Sequence, residues 1–180
     1  MDGSLADDAW KAAGIADQFR TTQGERGPAD EQTAVRALYD EKNLYLAFEC
    51  LAREPAKIRK ACTVANSESV FADDVVEVYL QPEGGQSRHL AVNAGGIAYT
   101  DPATPVEAAA AIGAASWTAE LTIPLASLNA ASPTPPGVIW RGNFARRKVA
   151  PPIDISAWCR EEVETPLGDP RAFGQLKFGQ

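Results

Sequence analysis

A period of two in the apolar residues, repeated in short runs that end at turn residues, constrains this chain more than any other feature. Trp117, Ala119, Leu121, Ile123 and Leu125 alternate with Thr118, Glu120, Thr122 and Pro124. Asp74 to Leu80 behaves the same way, with Val76, Val78 and Leu80 on one face and Val75, Glu77 and Tyr79 on the other. Pro82 and Gly84-Gly85 then stop that run. Only a strand puts successive side chains on opposite faces, so each run has a core face and a second face. Helical periodicity is nearly absent.

The remaining runs fit the same frame. Ala34 to Cys50 reads as a hairpin around Asp40-Glu41-Lys42-Asn43, and Arg88–Asn93 with Ile97–Thr100 as a second hairpin around Gly95-Gly96. Val138–Arg147 and Phe173–Phe178 are further strands, the last expected to pair with an early one. Glu107 to Ala115 is rich in helix-forming alanine, but Pro105, Gly113 and the run starting near Trp117 leave no room for a packed helix. A loop or short turn is expected there. The Pro-rich stretch 132–137 and the segment from Pro151-Pro152 to Pro170 read as connectors. The sum is an all-β, mostly antiparallel sandwich of jelly-roll type with Trp117 and Trp140 in its core. Function is then left to loops and one sheet face.

With 180 residues the chain has the length of one domain, 1–180. Its start has no basic region followed by an apolar stretch, as in a domain excised from a larger protein. A net charge of -7 repels polyanions, so nucleic acid is not an expected partner. No apolar run approaches the roughly 18 residues of a membrane span, so membrane insertion is not expected.

The chemistry is bounded by what is scarce. One histidine, His89, excludes HExxH and other multi-histidine metal sites, and leaves a strand or surface position as its simplest reading. GxSxG, GxGxxG and the phosphate-loop pattern are absent. Cys50, Cys62 and Cys159 show no CxxC spacing; Cys50 and Cys62 flank one connection and suit a bridge in an oxidising compartment, with free thiols as the other reading. Glu77 and Glu120 lie on the non-core faces of their runs, where they meet as a glycosidase-like pair or pair singly with Arg141, Arg146 or Arg147. Asp73, Asp74, Asp101, Asp154 and Asp169 supply loop oxygens of the kind calcium takes, and equally the oxygens that cap turns. Phe71 and Trp158 stand outside the alternating runs, and an exposed ring beside carboxylate, amide and guanidinium groups suits a neutral sugar.

Several stretches, in chain order, resemble the family 9 carbohydrate-binding modules and their wider sandwich superfamily. Asp2-Gly3-Ser4-Leu5-Ala6-Asp7-Asp8-Ala9-Trp10 is similar to that family's opening DGxLxDxAW, residues 35–48 to its VxxLYDxxNLY hairpin, and residues 73–80 to its DDxvEv strand. Residues 117–125 resemble WtxExxIP, Asn143-Phe144-Ala145-Arg146 resembles NFxR, and residues 169–176 resemble the closing DPxxFGxL. The resemblance implies a non-catalytic module, with no catalytic residue, that binds a polysaccharide chain end or oligosaccharide. By it, Phe71 and Trp158 take the places of two clamping rings, and Asn93, Glu77 and Arg146 those of polar neighbours. Ala91 stands where the family carries an arginine, and Phe71 where tryptophan is usual. The resemblance further implies an extracellular or periplasmic location, a tether to a larger parent protein, no required cofactor, and structural calcium in some binders. A ligand-free accessory or interaction sandwich is the alternative within the superfamily. Its haem-binding relatives use a methionine ligand, and the only methionine here is Met1.

Overall fold

A computed structural model describes residues 1–23, 27–131, 134–159 and 165–179. Twelve strands lie among them: β1 (Gly14–Ala16), β2 (Arg20–Thr21), β3 (Thr33–Tyr39), β4 (Asn43–Leu51), β5 (Val75–Gln81), β6 (Arg88–Asn93), β7 (Ala98–Tyr99), β8 (Glu107–Ile112), β9 (Ser116–Pro124), β10 (Ile139–Lys148), β11 (Asp154–Ala157) and β12 (Gly174–Lys177). The described helices are short 3-10 turns. One sheet has five strands in the order β1-β3-β4-β9-β8; the other has seven, in the order β2-β11-β10-β5-β6-β7 with β12 also on β10. All strand pairs are antiparallel. The expected sandwich is therefore present.

The alternation read from sequence becomes the core. Leu46, Phe48, Leu121 and Ile123 of the first sheet face Val76, Val78, Leu80, Leu90 and Phe144 of the second. Each fully buried side chain of this size contributes about 1.5–3 kcal/mol. Phe48 and Phe144 meet edge to face at 5.9 Å, and Trp117 and Trp140 are sealed in the same interior. Local chemistry shapes the connections. Asp40 Oδ1 accepts the Lys42 and Asn43 amides, each at 2.7 Å, and Tyr45 donates to Oδ2, closing the β3–β4 turn.

Two expectations are corrected. The Ala-rich segment is strand β8, paired with β9 from Glu107↔Thr122 to Ile112↔Trp117. Other chain segments lie close on its backbone, and they are glycines there: a Cβ at Gly3 would lie 2.6 Å from the Ala110 carbonyl carbon, and one at Gly96 3.2 Å from its nitrogen. Tertiary packing thus overrides alanine's helix propensity. The closing strand β12 pairs with the late strand β10, whose ten residues are long enough to carry β12 at one end and β11 at the other. Cys50, Cys62 and Cys159 form no disulfide among the described residues, and burial pushes the Cys50 thiol up to about 11.

Candidate functional site

The two outer faces of the sandwich differ in how they are covered. On the five-stranded sheet, Glu120 accepts from Trp10 Nε1 (3.0 Å) and from the Asp2 and Gly3 amides (3.1 and 3.0 Å), so the amino-terminal segment lies across that face. On the seven-stranded sheet, the outward residues of β5 and β6 stand in register, Tyr79 opposite His89 and Glu77 opposite Ala91. Tyr79 and His89 stack with centroids 4.4 Å apart and planes at 5°. Phe71, on the 3-10 turn Glu68–Ala72, stacks on the other side of His89 at 5.6 Å and meets Tyr99 edge-on at 5.0 Å. Phe71, His89 and Tyr99 are half-buried, so this row of rings presents an apolar surface to solvent.

Glu77 stands beside that row. Its Oε2 accepts from the Tyr79 hydroxyl (2.7 Å) and contacts His89 Nε2 (2.9 Å), while Arg147 approaches Oε1 at 3.5 Å. Burial by itself would raise the Glu77 pKa. The hydrogen bonds from His89 and Tyr79, with the charges of His89 and Arg147, outweigh it and hold the carboxyl below its usual range. An ionised carboxylate only accepts, so Nε2 is the protonated nitrogen of His89. Tyr79 shifts the opposite way: burial and the Glu77 charge push its hydroxyl above the ordinary tyrosine value.

The residues picked from sequence separate into two groups. Phe71 and Glu77 share this outer face. Asn93 is on the same face of β6 as His89 but fully buried, donating to Asp73 Oδ2 and the Cys62 carbonyl and accepting the Gly95 and Ile97 amides; it holds the β6–β7 turn. Arg146 is not at the site. It pairs with Val76, a core position, and its guanidinium binds the Glu31 and Leu51 carbonyls and the Glu31 carboxylate, joining elements inside the sandwich. Arg147, one position on, is the arginine that reaches Glu77. Trp158 also points inward. It follows Ala157, which pairs with Ala145, so the next side chain turns to the core and packs on Phe144 at 5.7 Å. The structure does not bring Phe71 and Trp158 together as a clamp.

Glu77 and Glu120 belong to different sheets and to opposite outer faces, so the paired-carboxylate reading fails on geometry. Four of the loop aspartates, Asp73, Asp74, Asp101 and Asp169, are engaged by protein donors. Asp73 accepts the Ala61 and Cys62 amides, Asp74 accepts the Arg59 amide, and Asp169 is chelated by Arg171. Among the described residues no three His, Cys, Asp or Glu side chains gather as a metal cage. Burial raises the Asp74 pKa.

The family profile described as "Carbohydrate family 9 binding domain-like" matches residues 1–140. Among solved structures, the chain is similar to a carbohydrate-binding module of family 9 from Caldicellulosiruptor kristjanssonii in complex with glucose. There the TM-score is 0.75 and the identity 16%, over 100% of this chain and 91% of the other. The corresponding structure with cellotriose gives 0.69 and 14%, over 99% and 88%. At these identities the likeness speaks for the fold. No curated protein matches the sequence.

Proposed function

We propose, from the premise that the chain belongs to the carbohydrate family 9 binding domain-like family, that it is a non-catalytic carbohydrate-binding module whose site is the outer face of the seven-stranded sheet. The observation that carries this reading is the row of half-buried Phe71 and His89 on buried Tyr79, with half-buried Tyr99 at its flank and the Glu77–Arg147 pair beside it. A pyranose offers apolar C–H faces and a rim of hydroxyls. Rings take the faces through many weak dispersion contacts, and the polar pair replaces the water lost by the hydroxyls. The glucose and cellotriose complexes of the structural relatives support a β-glucan chain end or oligosaccharide as the partner. Glu77 and Glu120 lie on different sheets, so these two do not form a glycosidase pair. The module needs no cofactor in this reading, acts outside the cytoplasm, extracellular or periplasmic, and is tethered to a larger parent protein.

Calorimetric titration of the protein with glucose, cellobiose and cellotriose, in calcium and in chelator, tests this. Saturable heat of equal size in both buffers is the expected result. Silence with every saccharide would return the ligand-free interaction sandwich as the better reading.

A further inference from the structure

We infer that His89 is a ligand-contacting residue of this site and that a bound saccharide opposes its protonation. The inference rests on the carbohydrate reading above and adds a residue and a linkage that the reading itself does not require.

The geometry leaves His89 little freedom. Its ring lies between Tyr79 and Phe71, with Tyr99 at 6.3 Å on a third side, and Nε2 is committed to Glu77. The side chain nevertheless keeps 36% of its surface in water, more than any other group bonded to Glu77, whose Arg147 partner keeps 31%. Nδ1 has no hydrogen-bond partner among the described residues. A saccharide laid on the ring row must therefore cover imidazole. The neutral ring accepts this well, because Tyr79 and Phe71 already occupy its two faces and its remaining polar atom, the Nδ1 lone pair, takes a hydroxyl hydrogen. The imidazolium does not: it has lost that acceptor, and covering it strips hydration from a charge. Binding is thus stronger to the neutral form, and by reciprocity the saccharide lowers the proton affinity of His89.

Among the described residues, nothing else facing the ring changes charge between about pH 5 and about pH 8 in a way that would mimic this. Glu77 on β5 is held ionised, Tyr79 beside it is pushed further from ionisation, and the guanidinium of Arg147 on β10 stays charged. Tyr99 faces the ring from β7, and Arg88, the preceding residue on β6, pairs with Asp101 at 3.5 Å.

Because the chain has one histidine, its imidazole C–H signals in proton NMR are unambiguous. They are followed through pH titration of the protein alone and saturated with cellotriose, with calorimetric Kd at both ends of the range. The expected result is a midpoint lower by about half a pH unit with ligand, and a Kd about threefold weaker at the acid end. In His89→Phe, which keeps an aromatic ring in the row, Kd should be flat with pH. A midpoint unmoved by cellotriose whose binding calorimetry registers would overturn the inference and leave the carbohydrate reading standing; so would a His89→Phe protein with the wild-type pH profile. If cellotriose gives no heat at either pH, both fall together.

Discussion

Glu120 and Glu77 occupy equivalent places on opposite sheets: mid-strand, facing away from the core, and 2% and 3% exposed. They differ in what buries them. Glu120 is covered by the chain's own amino-terminal segment, and its three donors among the described residues are Asp2, Gly3 and Trp10. Among the described residues, the groups bonded to Glu77 are the side chains of Tyr79, His89 and Arg147, two of which remain partly in water. The same residue type on the same kind of strand thus ties down a chain terminus on one side and serves an open surface on the other. A carboxylate's role is set by whether its donors come from a covering segment or from side chains that also face solvent.

The largest effect should come from breaking the closed side. Glu120→Ala strands the Trp10 indole N–H and two amides, each worth about 1–3 kcal/mol if left buried and unpaired. The segment can peel away and hydrate them, so the total is capped at about 2–3 kcal/mol. Urea unfolding should register that loss, with cellotriose affinity of the folded protein unchanged. A change in affinity comparable to the loss in stability would erase the distinction between the two faces.

The open side should respond the other way. Phe71→Ala removes the outer ring of the row and is expected to cost about 2 kcal/mol of saccharide binding, roughly thirtyfold in Kd, as for an aromatic hot spot. Its stability cost should be smaller, since Phe71 packs on a satellite cluster with Val70, Val75 and Ala91 and not on the main core. Calorimetry and thermal melting of the same sample separate the two. Equal affinity to wild type would move the site elsewhere.

The smallest effect is a pH dependence. A carboxyl held below its ordinary value of 4.5 contributes stability that is present above that value and lost as pH falls through the lower, folded one. The gap in unfolding free energy between wild type and Glu77→Gln should therefore narrow below about pH 4.5. A gap that widens on acidification would reverse the assigned direction.

How much of this was legible in the sequence depended on whether local phase was enough. Alternation located most strands and put Glu77 and Tyr79 on the outward face. The same count, extended along β10, places Arg146 in step with Trp140 and Phe144 and Arg147 out of step, so the exchange of the two arginines was available locally and the motif NFxR drew attention away from it. His89 was also recoverable, since it shares a face with Ala91 and Asn93. Trp158 was not: its direction follows from the register of β11 on β10, a pairing with no signal in the residues around it. β8 was hidden for the same reason, because what makes an alanine run a strand is its pairing with β9 and the close approach of Gly3 and Gly96. The partner of Glu120 lies 110 residues away, at Trp10.

The central claim is that saccharide meets the outer face of the seven-stranded sheet and no tryptophan. The chain has four, Trp10, Trp117, Trp140 and Trp158, each with an indole N–H visible in a two-dimensional nitrogen-15 NMR spectrum. Titration with cellotriose should shift the backbone amides of Phe71, His89 and Tyr99 and leave all four indole signals in place. A large shift of the Trp158 indole, with Phe71 and His89 unmoved, would contradict it.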